Sequence, residues 1–454
     1  MQRDTIVALA TPAGVSAIAV VRVSGPLSQS LFCRFISKSE FSPKTLYHCK
    51  YLSREGKTLD DILMVFFPSV GSYTGEDAVE IYCHGNMLIV ENILADLCGR
   101  GFRFAESGEF TKRAFLNGKL DLCQAEAVAD VIHATNERAM QVAQNQLSGA
   151  LSDRVNTVSR NLLNALAEVE IGIDFSDDEV CDEKTFFHDV LQKIEAATKE
   201  LKILIESNKY HSVINNGIST VILGEPNAGK SSLFNFLLGE DRAIVSEIAG
   251  TTRDIISEKI VIGNNVLKIC DTAGLRSKAV GEIEQTGIAK AITKASNADF
   301  FLIVMNINSN TLPSIPWEIV NRLNDQNTLV VINKIDLPKN CIVEDFLPHL
   351  DRIEISIKNE TNPWSLKTKI LEVTSRNKTL NHDVDIMVNA RHVDILRRAN
   401  ACLEAIQSKM LQPLYIETIA SDIRQSLETL GEITGTYDNE KMLDLIFSNF
   451  CIGK

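Results

Sequence analysis

The chain has 454 residues, of which 45% are hydrophobic and 23% charged, so it is an ordinary globular protein of about three domains and not a disordered or collagen-like chain. The formal net charge of −13 excludes nucleic-acid binding through bulk positive charge alone. No apolar run reaches the ~18 residues that a membrane span needs, and the ten cysteines are scattered without a CxxC pair, which favours reduced thiols in a cytoplasm.

Residues 1–119 predict a separate α+β domain, because strand-like runs alternate with turn clusters. The strand-like runs are Ala17–Val23, Leu63–Phe67 and Ala78–Cys83, and a turn cluster lies at Ser72–Gly75. This domain ends where helical spacing begins, near position 120.

A helical domain in two pieces is predicted at residues 120–216 and 378–454. No proline occurs from position 69 to position 225, and apolar residues in the first piece recur at helical spacing. In the second piece the helical pattern covers Val384–Met410, Ile419–Leu430 and Met442–Phe450.

Residues 217–377 predict an inserted α/β domain with a doubly wound, mostly parallel sheet, because short β-branched runs alternate with helical stretches. The predicted strands are Thr220–Leu223, Leu267–Cys270, Phe300–Met305, Leu329–Ile332 and Arg352–Ile355. A helical domain interrupted by this insert is the economical interpretation, since compact domains tolerate insertions at surface loops.

A P-loop opens the inserted domain, between a predicted strand and a predicted helix at Ser232–Leu238. Its sequence is Gly224-Glu-Pro-Asn-Ala-Gly229-Lys230-Ser231. The glycines allow backbone N–H groups to face phosphates, Lys230 reaches the β and γ oxygens, and the Ser231 hydroxyl binds Mg²⁺.

Two further motifs identify the nucleotide as GTP. In Asp271-Thr-Ala-Gly274, the carboxylate holds Mg²⁺ through water and the Gly274 N–H contacts the γ-phosphate. In Asn333-Lys-Ile-Asp336, after the strand Leu329–Ile332, the carboxylate accepts from guanine N1–H and the N2 amino group. Because adenine lacks this donor pair, three motifs at strand ends together predict a GTPase.

Two more segments complete the predicted nucleotide site. Ser356-Ile357-Lys358 stands where the fifth guanine-binding element usually reads Ser-Ala-Lys or Ser-Cys-Lys, and the bulkier Ile357 departs from that pattern. Thr252, between the P-loop and Asp271, is predicted to complete the Mg²⁺ coordination.

The group that orients the attacking water must be unusual in this chain. Leu275 stands where Ras-like GTPases place a glutamine, and leucine has no polar group. The switch that follows offers Glu282 and Glu284.

Developing negative charge in the transition state also needs a cation. A bound monovalent ion near Asn227 can supply it, and Arg253 and Arg276 are rival sources.

The order of these segments resembles the tRNA modification GTPase family MnmE, also called TrmE, over the full length. The segments that carry the resemblance, besides the P-loop, are Asp4-Thr-Ile-Val-Ala, Val21-Arg-Val-Ser-Gly25, Tyr73-Thr-Gly-Glu-Asp77, Cys83-His-Gly85, Gly108-Glu-Phe-Thr-Lys-Arg-Ala-Phe-Leu-Asn117 and the terminal Cys451-Ile-Gly-Lys454.

The resemblance implies a cytoplasmic homodimer, paired through amino-terminal domains that bind 5-formyltetrahydrofolate or a related tetrahydrofolate. It implies a heterotetramer with the flavoprotein MnmG that acts on C5 of the wobble uridine of certain tRNAs. There the pair installs a carboxymethylaminomethyl or aminomethyl group from a folate-borne one-carbon unit. GTPase domains of this family dimerise across the nucleotide when K⁺ is bound.

The resemblance also assigns residues by position. It places the catalytic glutamate on Glu284, the possible tail thiol on Cys451 and the K⁺ ligands on Asn227, Ser246, Ile248 and Thr251. The implied folate contacts are Arg22, Glu80, Lys119 and Lys454, and a surface ion pair is the alternative for each of them alone. The complete predicted GTP-binding set is Asn227, Ala228, Gly229, Lys230, Ser231, Ser232, Ser246, Glu247, Ile248, Ala249, Gly250, Thr251, Thr252, Asp271, Thr272, Ala273, Gly274, Asn333, Lys334, Asp336, Ser356, Ile357 and Lys358.

Two other functions compete with this one. A ribosome-assembly GTPase of the Era or Der type shares Thr251-Thr-Arg-Asp254, but it would need a second GTPase domain or a KH module, and residues 378–454 contain no GxxG loop. A folate-dependent aminomethyltransferase with a regulatory GTPase is supported only by residues 1–119.

Overall fold

The structure is a computed structural model that describes residues 4–36, 41–174, 183–239, 257–263, 265–270, 298–309, 311–313, 315–339, 346–359, 363–377, 385–409, 416–436, 440–448 and 450–453. They fall into two compact units. One comprises Met1–Ala129, Gln146–Thr198 and Arg398–Lys454, and the other comprises Asp130–Asn145 and Lys199–Arg397. The boundaries after residues 119, 216 and 377 stay a prediction.

A six-stranded sheet in the order β3-β4-β5-β2-β1-β6 organises the amino-terminal part. All its neighbours are antiparallel except β1 and β6. Its strands are β1 Ile6–Leu9, β2 Ser16–Ser24, β3 Tyr47–Leu52, β4 Thr58–Phe67, β5 Ala78–Gly85 and β6 Arg103–Phe104, and its helices are α1 Ser28–Phe35, α2 Met87–Cys98 and α3 Glu109–Leu116. The predicted α+β character is confirmed.

Alternation along β2 gives this sheet two different faces. Ala19, Val21 and Val23 point into the core that includes α1 and α2. The opposite face carries the intervening residues Arg22 and Ser24, which makes it the side on which polar groups are collected.

Long helices follow, as the spacing predicts. They are α4 Leu122–His133, α5 Glu137–Leu147, α6 Ala150–Asp174, α7 Glu183–Asn216, α11 Ala390–Lys409, α12 Ile416–Thr434 and α13 Glu440–Ser448. In the first unit, α6 packs along α12, and Arg424 of α12 pairs with Glu170 of α6.

Several predicted helix ends differ from the observed ones, and two of them were too long. The helix predicted from Val384 begins at Ala390, because the Asn389 side chain accepts from the His392 N–H at 2.9 Å and caps the helix there. The last helix ends at Ser448 rather than Phe450. Apolar spacing continues through a capped end, so it cannot mark where a helix stops.

The second sheet has the order β12-β11-β10-β7-β9-β8. Its strands are β7 Ile218–Gly224, β8 Ser257–Ile262, β9 Asn265–Cys270, β10 Phe300–Asn306, β11 Thr328–Asn333 and β12 Asp351–Ile355, and its helices are α8 Lys230–Leu238, α9 Trp317–Val320 and α10 Trp364–Arg376. All neighbours are parallel except β8 and β9, which confirms the predicted doubly wound, mostly parallel sheet.

Both faces of this sheet are covered. Phe300 and Leu302 pack with residues of α8 and α10, while Phe301 and Ile303 pack into a second cluster with α9. The carboxyl ends of β7, β11 and β12 lie at one edge, so the loops that follow them can share a ligand. None of the helices within the described ranges is long and apolar enough to cross a membrane.

Candidate functional sites

The P-loop backbone is shaped by residues with positive φ. Gly224 has φ 144°, and a Cβ there would lie 2.2 Å from the Val304 carbonyl oxygen, so only glycine fits. Asn227 and Gly229 have φ 65° and 104°, and α8 begins at Lys230. The loop therefore wraps around the amino terminus of a helix, where backbone N–H groups and the helix dipole favour a phosphate.

Lys230, Ser231 and Ser232 form the first turn of α8, which begins two residues before the predicted start at Ser232. The Lys230 ammonium donates to the carbonyl oxygens of Gly224 and Glu225 at 2.9 and 2.7 Å, which holds it at the loop. Ser231 and Ser232 are exposed in the first turn of α8. Both side chains are therefore accessible from solvent.

The buried side chain of Asn333 connects three loops at the sheet edge. Its Nδ2 donates to the Ala228 carbonyl at 3.0 Å. Its Oδ1 accepts from the backbone N–H groups of Lys334 and Ile357 at 2.8 and 3.3 Å. A Cβ on Gly229 would lie 2.2 Å from Nδ2, so the P-loop glycine also serves this contact.

The residues predicted to recognise guanine lie together at the same edge of the sheet. The Ser356 hydroxyl donates to Asp336 Oδ1 at 2.6 Å. This hydrogen bond, with the positive charges of Lys358 and Lys334, holds the pKa of Asp336 below its ordinary value. The exposed carboxylate is therefore ionised at neutral pH and can accept two N–H groups from guanine. The Lys334 ammonium donates to the Asn227 carbonyl at 2.8 Å, which joins the guanine loop to the P-loop.

The fold has room for Ile357, the residue that departs from the usual fifth guanine-binding motif. Its N–H reaches Asn333, and its side chain packs against the cluster of α8 and α10. The contact that matters at this position is made by the backbone, so the larger side chain leaves it intact.

Two further hydrogen bonds, which no sequence motif predicted, connect the loop after β10 to the neighbouring loops. The Ser309 hydroxyl donates to Glu225 Oε2 at 3.1 Å, and Asn308 Nδ2 donates to the Pro338 carbonyl at 2.9 Å. The loop after β10 thus contacts both the P-loop and the segment after Asp336. Single serines and asparagines in loops carry no sequence signal for such a role.

The remaining predicted nucleotide residues lie outside the described part of the chain. They stay predictions, and they are Ser246, Glu247, Ile248, Ala249, Gly250, Thr251, Thr252, Asp271, Thr272, Ala273, Gly274 and Glu284, with the alternatives Glu282, Arg253 and Arg276.

In the amino-terminal unit, Arg22 and Glu80 face each other on β2 and β5. Arg22 Nε donates to Glu80 Oε1 at 3.0 Å, and Tyr82 donates to the other carboxylate oxygen at 2.8 Å. Arg22 also donates to the Gly453 carbonyl at 3.2 Å, and it lies 5.8 Å from the ring centroid of Phe110. Two of the four predicted folate residues, Arg22 and Glu80, therefore form a half-buried ion pair that also contacts the terminal segment through Gly453.

That terminal segment is held by close backbone contacts. Gly453 has φ 94°, and a Cβ there would lie 2.4 Å from the Leu9 carbonyl oxygen. Ile452 pairs with Ser107, and the carbonyl of the exposed Cys451 accepts from the Gly108 N–H at 3.4 Å.

Lys119 is placed apart from this pair. Its ammonium donates to the Val70 carbonyl at 2.8 Å, and no hydrogen bond or ion pair between described atoms joins it to Arg22 or Glu80. Lys454 lies outside the described residues, next to Gly453.

Two family profiles and several curated proteins match this chain, together over nearly its whole length. The family profile "GTP-binding protein TrmE N-terminus" matches residues 5–119, and "MnmE helical domain" matches residues 122–451. Curated proteins named tRNA modification GTPase MnmE are similar to it. That of Opitutus terrae is 41% identical, covering 99% of each chain; that of Natranaerobius thermophilus is 38% identical, covering all of both; and that of Flavobacterium johnsoniae is 39% identical with the same coverage.

Guanine selectivity is expected to depend on Asp336. In Asp336→Asn the amide donates where guanine also donates, so GTP affinity should fall by about 10²-fold or more, while xanthosine triphosphate should bind better. Ser356→Ala removes only the orienting hydrogen bond and should cost less than about tenfold. Fluorescent-nucleotide titrations measure both, and unchanged GTP affinity in Asp336→Asn would refute the assignment.

Proposed function

This chain belongs to the tRNA modification GTPase family MnmE, and we propose that it works with the flavoprotein MnmG on C5 of the wobble uridine of certain tRNAs. The enzyme is a GTPase in tRNA modification. In the proposed reaction, a one-carbon unit from a tetrahydrofolate is built into a carboxymethylaminomethyl or aminomethyl group, and GTP hydrolysis drives the conformational cycle.

The observation that carries the proposal is the coexistence of two sites in one chain. One is the guanine-nucleotide site built on Asn333 and Asp336. The other is the Arg22–Glu80 pair, which contacts the terminal segment through Gly453. A ribosome-assembly switch gives no reason for the second site.

The polar groups of the second site suit a folate chemically. A carboxylate such as Glu80 can accept from the amino-pyrimidine edge of a pterin, and the folate glutamate is an anion that Arg22, Lys119 and Lys454 can bind. Glu80 and Arg22 side chains are 18% and 21% exposed, so a ligand can reach both while most of each group stays shielded.

The nucleotide loops also suit the proposed ions. Mg²⁺ prefers hard oxygen ligands, and the exposed Ser231 hydroxyl in the first turn of α8 is such a group; Thr252 would be the second. For K⁺, the exposed Asn227 side chain offers an amide oxygen, with Ser246, Ile248 and Thr251 completing the proposed set. K⁺ would supply positive charge where the transition state develops negative charge.

The proposed assembly is a cytoplasmic homodimer that forms a heterotetramer with MnmG. A membrane is not among its proposed partners. A protein of net charge −13 meets tRNA through local contacts or through its partner.

Reconstitution tests this function directly. Purified chain, MnmG, tRNA, GTP, a tetrahydrofolate one-carbon donor, an amine source and KCl should yield modified wobble uridine by mass spectrometry of digested tRNA. Omitting MnmG or folate, or replacing K⁺ by Na⁺ at equal ionic strength, should each abolish or strongly lower the yield. Full yield without folate would exclude the proposed one-carbon source, and a deletion strain with normally modified wobble uridine would exclude the function.

Folate binding is expected to depend on Glu80. Glu80→Gln replaces one acceptor oxygen by a donor, so 5-formyltetrahydrofolate should bind at least about tenfold more weakly, as for a lost hydrogen bond to a charged group. GTP hydrolysis should not change. The matched control is Asp444→Asn, which removes an exposed ion pair with Lys112 and should bind folate normally. Isothermal titration calorimetry measures the folate affinity of each variant. Equal affinity of Glu80→Gln and wild type would show that Glu80 does not bind folate.

Hydrolysis is expected to require Glu284. A carboxylate in the switch can hold the attacking water directly or through a second water, which the leucine at 275 cannot do. Glu284→Ala should therefore lower kcat by roughly 10²-fold or more, with little change in GTP affinity. Glu282→Ala is the internal control and should stay near wild type. If Glu282→Ala were slow and Glu284→Ala active, the catalytic glutamate would be Glu282. If both variants were active, neither glutamate would orient the water.

A further inference from the structure

Asp60 and His84 form a polar pair that the functions described above do not use. Asp60 Oδ1 lies 2.8 Å from His84 Nδ1, and Oδ2 accepts from the His84 backbone N–H at 2.8 Å. The Asp60 side chain is 8% exposed, whereas that of His84 is 68% exposed. A buried carboxylate therefore holds an exposed imidazole.

This geometry determines which ring nitrogen faces outward. Nδ1 must carry a proton to donate to Asp60, so Nε2 of the neutral ring has the free lone pair. Carboxylates that fix a histidine tautomer in this way occur where the other nitrogen accepts a proton.

His84 shares a sheet face with the proposed folate residues. Glu80, Tyr82 and His84 alternate along β5, and the hydrogen bond from Tyr82 to Glu80 shows the first two side by side. At ~3.3 Å per residue, His84 lies about 13 Å along the strand from Glu80. An extended ligand anchored at Arg22 and Glu80 can span much of that distance.

Three residues next to or opposite His84 are not suited to accept a proton. Burial and the charge of Asp60 raise the pKa of Cys83 to about 11, and its thiol donates to the Ala19 carbonyl. Burial and the hydrogen bond to Glu80 raise the pKa of Tyr82 to about 12, so it stays a donor. Ile18, opposite His84 on β2, is apolar and 57% exposed.

We propose that His84, oriented by Asp60, is a proton-accepting site for a primary amine on the folate-binding face of the amino-terminal sheet. The inference rests on the proposed one-carbon transfer. One N–H bond of the ammonium form breaks and one Nε2–H bond forms. The amine gains the lone pair that it needs as a nucleophile, and the imidazolium is held by Asp60. The transfer requires no oxidant or reductant.

The alternative is a purely structural role, in which the hydrogen bonds between Asp60 and His84 only stabilise the end of β5. The two roles separate in His84→Asn, whose amide can still donate to Asp60 but has no nitrogen that accepts a proton. They also separate by chemical rescue, since free imidazole can replace a lost base at an exposed site but cannot restore a lost anchor.

The test is the reconstituted modification assay with the full chain, MnmG, tRNA, GTP, folate donor and glycine as the primary amine. His84→Ala and His84→Asn should both lower the modification rate by about 10²-fold, the usual contribution of a general base. Added imidazole should restore His84→Ala by at least about tenfold. Asp60→Asn, which favours the other tautomer, should also be slow. The matched control is His48→Ala, which removes another exposed histidine of the same sheet and should match wild type.

Separate measurements distinguish the outcomes. Binding of 5-formyltetrahydrofolate and GTP hydrolysis report whether each variant is intact. An active His84→Asn, or a slow His84→Ala that imidazole does not rescue, would overturn the inference and leave the proposed function standing. A wild-type protein that modifies no tRNA would instead overturn the proposed function, and the inference with it.

Discussion

The nucleotide site depends on one buried amide. Asn333 donates to the P-loop carbonyl of Ala228 and accepts from the N–H groups of Lys334 and Ile357, so a single side chain fixes three loops that follow three different strands. A buried amide that lost one of these partners would carry an unsatisfied polar group, which costs about 1–3 kcal/mol. Its close approach to Gly229 explains why the P-loop has no side chain at that point.

The other contacts among these loops build on this arrangement. Because Asn333 fixes the guanine loop, Asp336 lies within reach of Ser356, which holds the carboxylate ionised and oriented. The hydrogen bond between Ser309 and Glu225 adds a fourth loop to the same edge. The P-loop and the loop that carries Asp336 are therefore joined by direct contacts of Asn333 and Lys334.

The amino-terminal unit uses a different principle. Its polar groups are collected by strand register: Arg22 meets Glu80 because β2 and β5 are antiparallel partners, and alternation brings Tyr82 and His84 to the same face. The terminal segment then adds Gly453 to Arg22, in a contact between residues that are 431 positions apart. A face with both an anchoring ion pair and an oriented imidazole is suited to hold an extended ligand and to handle a proton on it.

Much of the fold follows from local sequence patterns. The strand predicted at Phe300–Met305 is found at Phe300–Asn306, since a run that is buried on both faces of a parallel sheet leaves a continuous apolar signal. The helix predicted from Val384 begins later, because its start is set by the Asn389 cap and not by apolar spacing. The Lys119 ammonium donates to the Val70 carbonyl, a contact that no one-dimensional pattern reveals, and its predicted role in folate binding stays a prediction.

The sequence by itself predicted a guanine-nucleotide site, because the P-loop and Asn333-Lys-Ile-Asp336 are contiguous motifs whose residue types suit GTP binding. Only the tertiary structure revealed three sets of contacts: the hydrogen bonds of Asn333 to the neighbouring loops, the ion pair of Arg22 with Glu80, and the hydrogen bonds between Asp60 and His84. Apart from the contact of Asn333 with its neighbour Lys334, these contacts join residues that are 24 to 105 positions apart. Strand register and loop packing create such contacts, and both are properties of the folded chain that no local segment encodes.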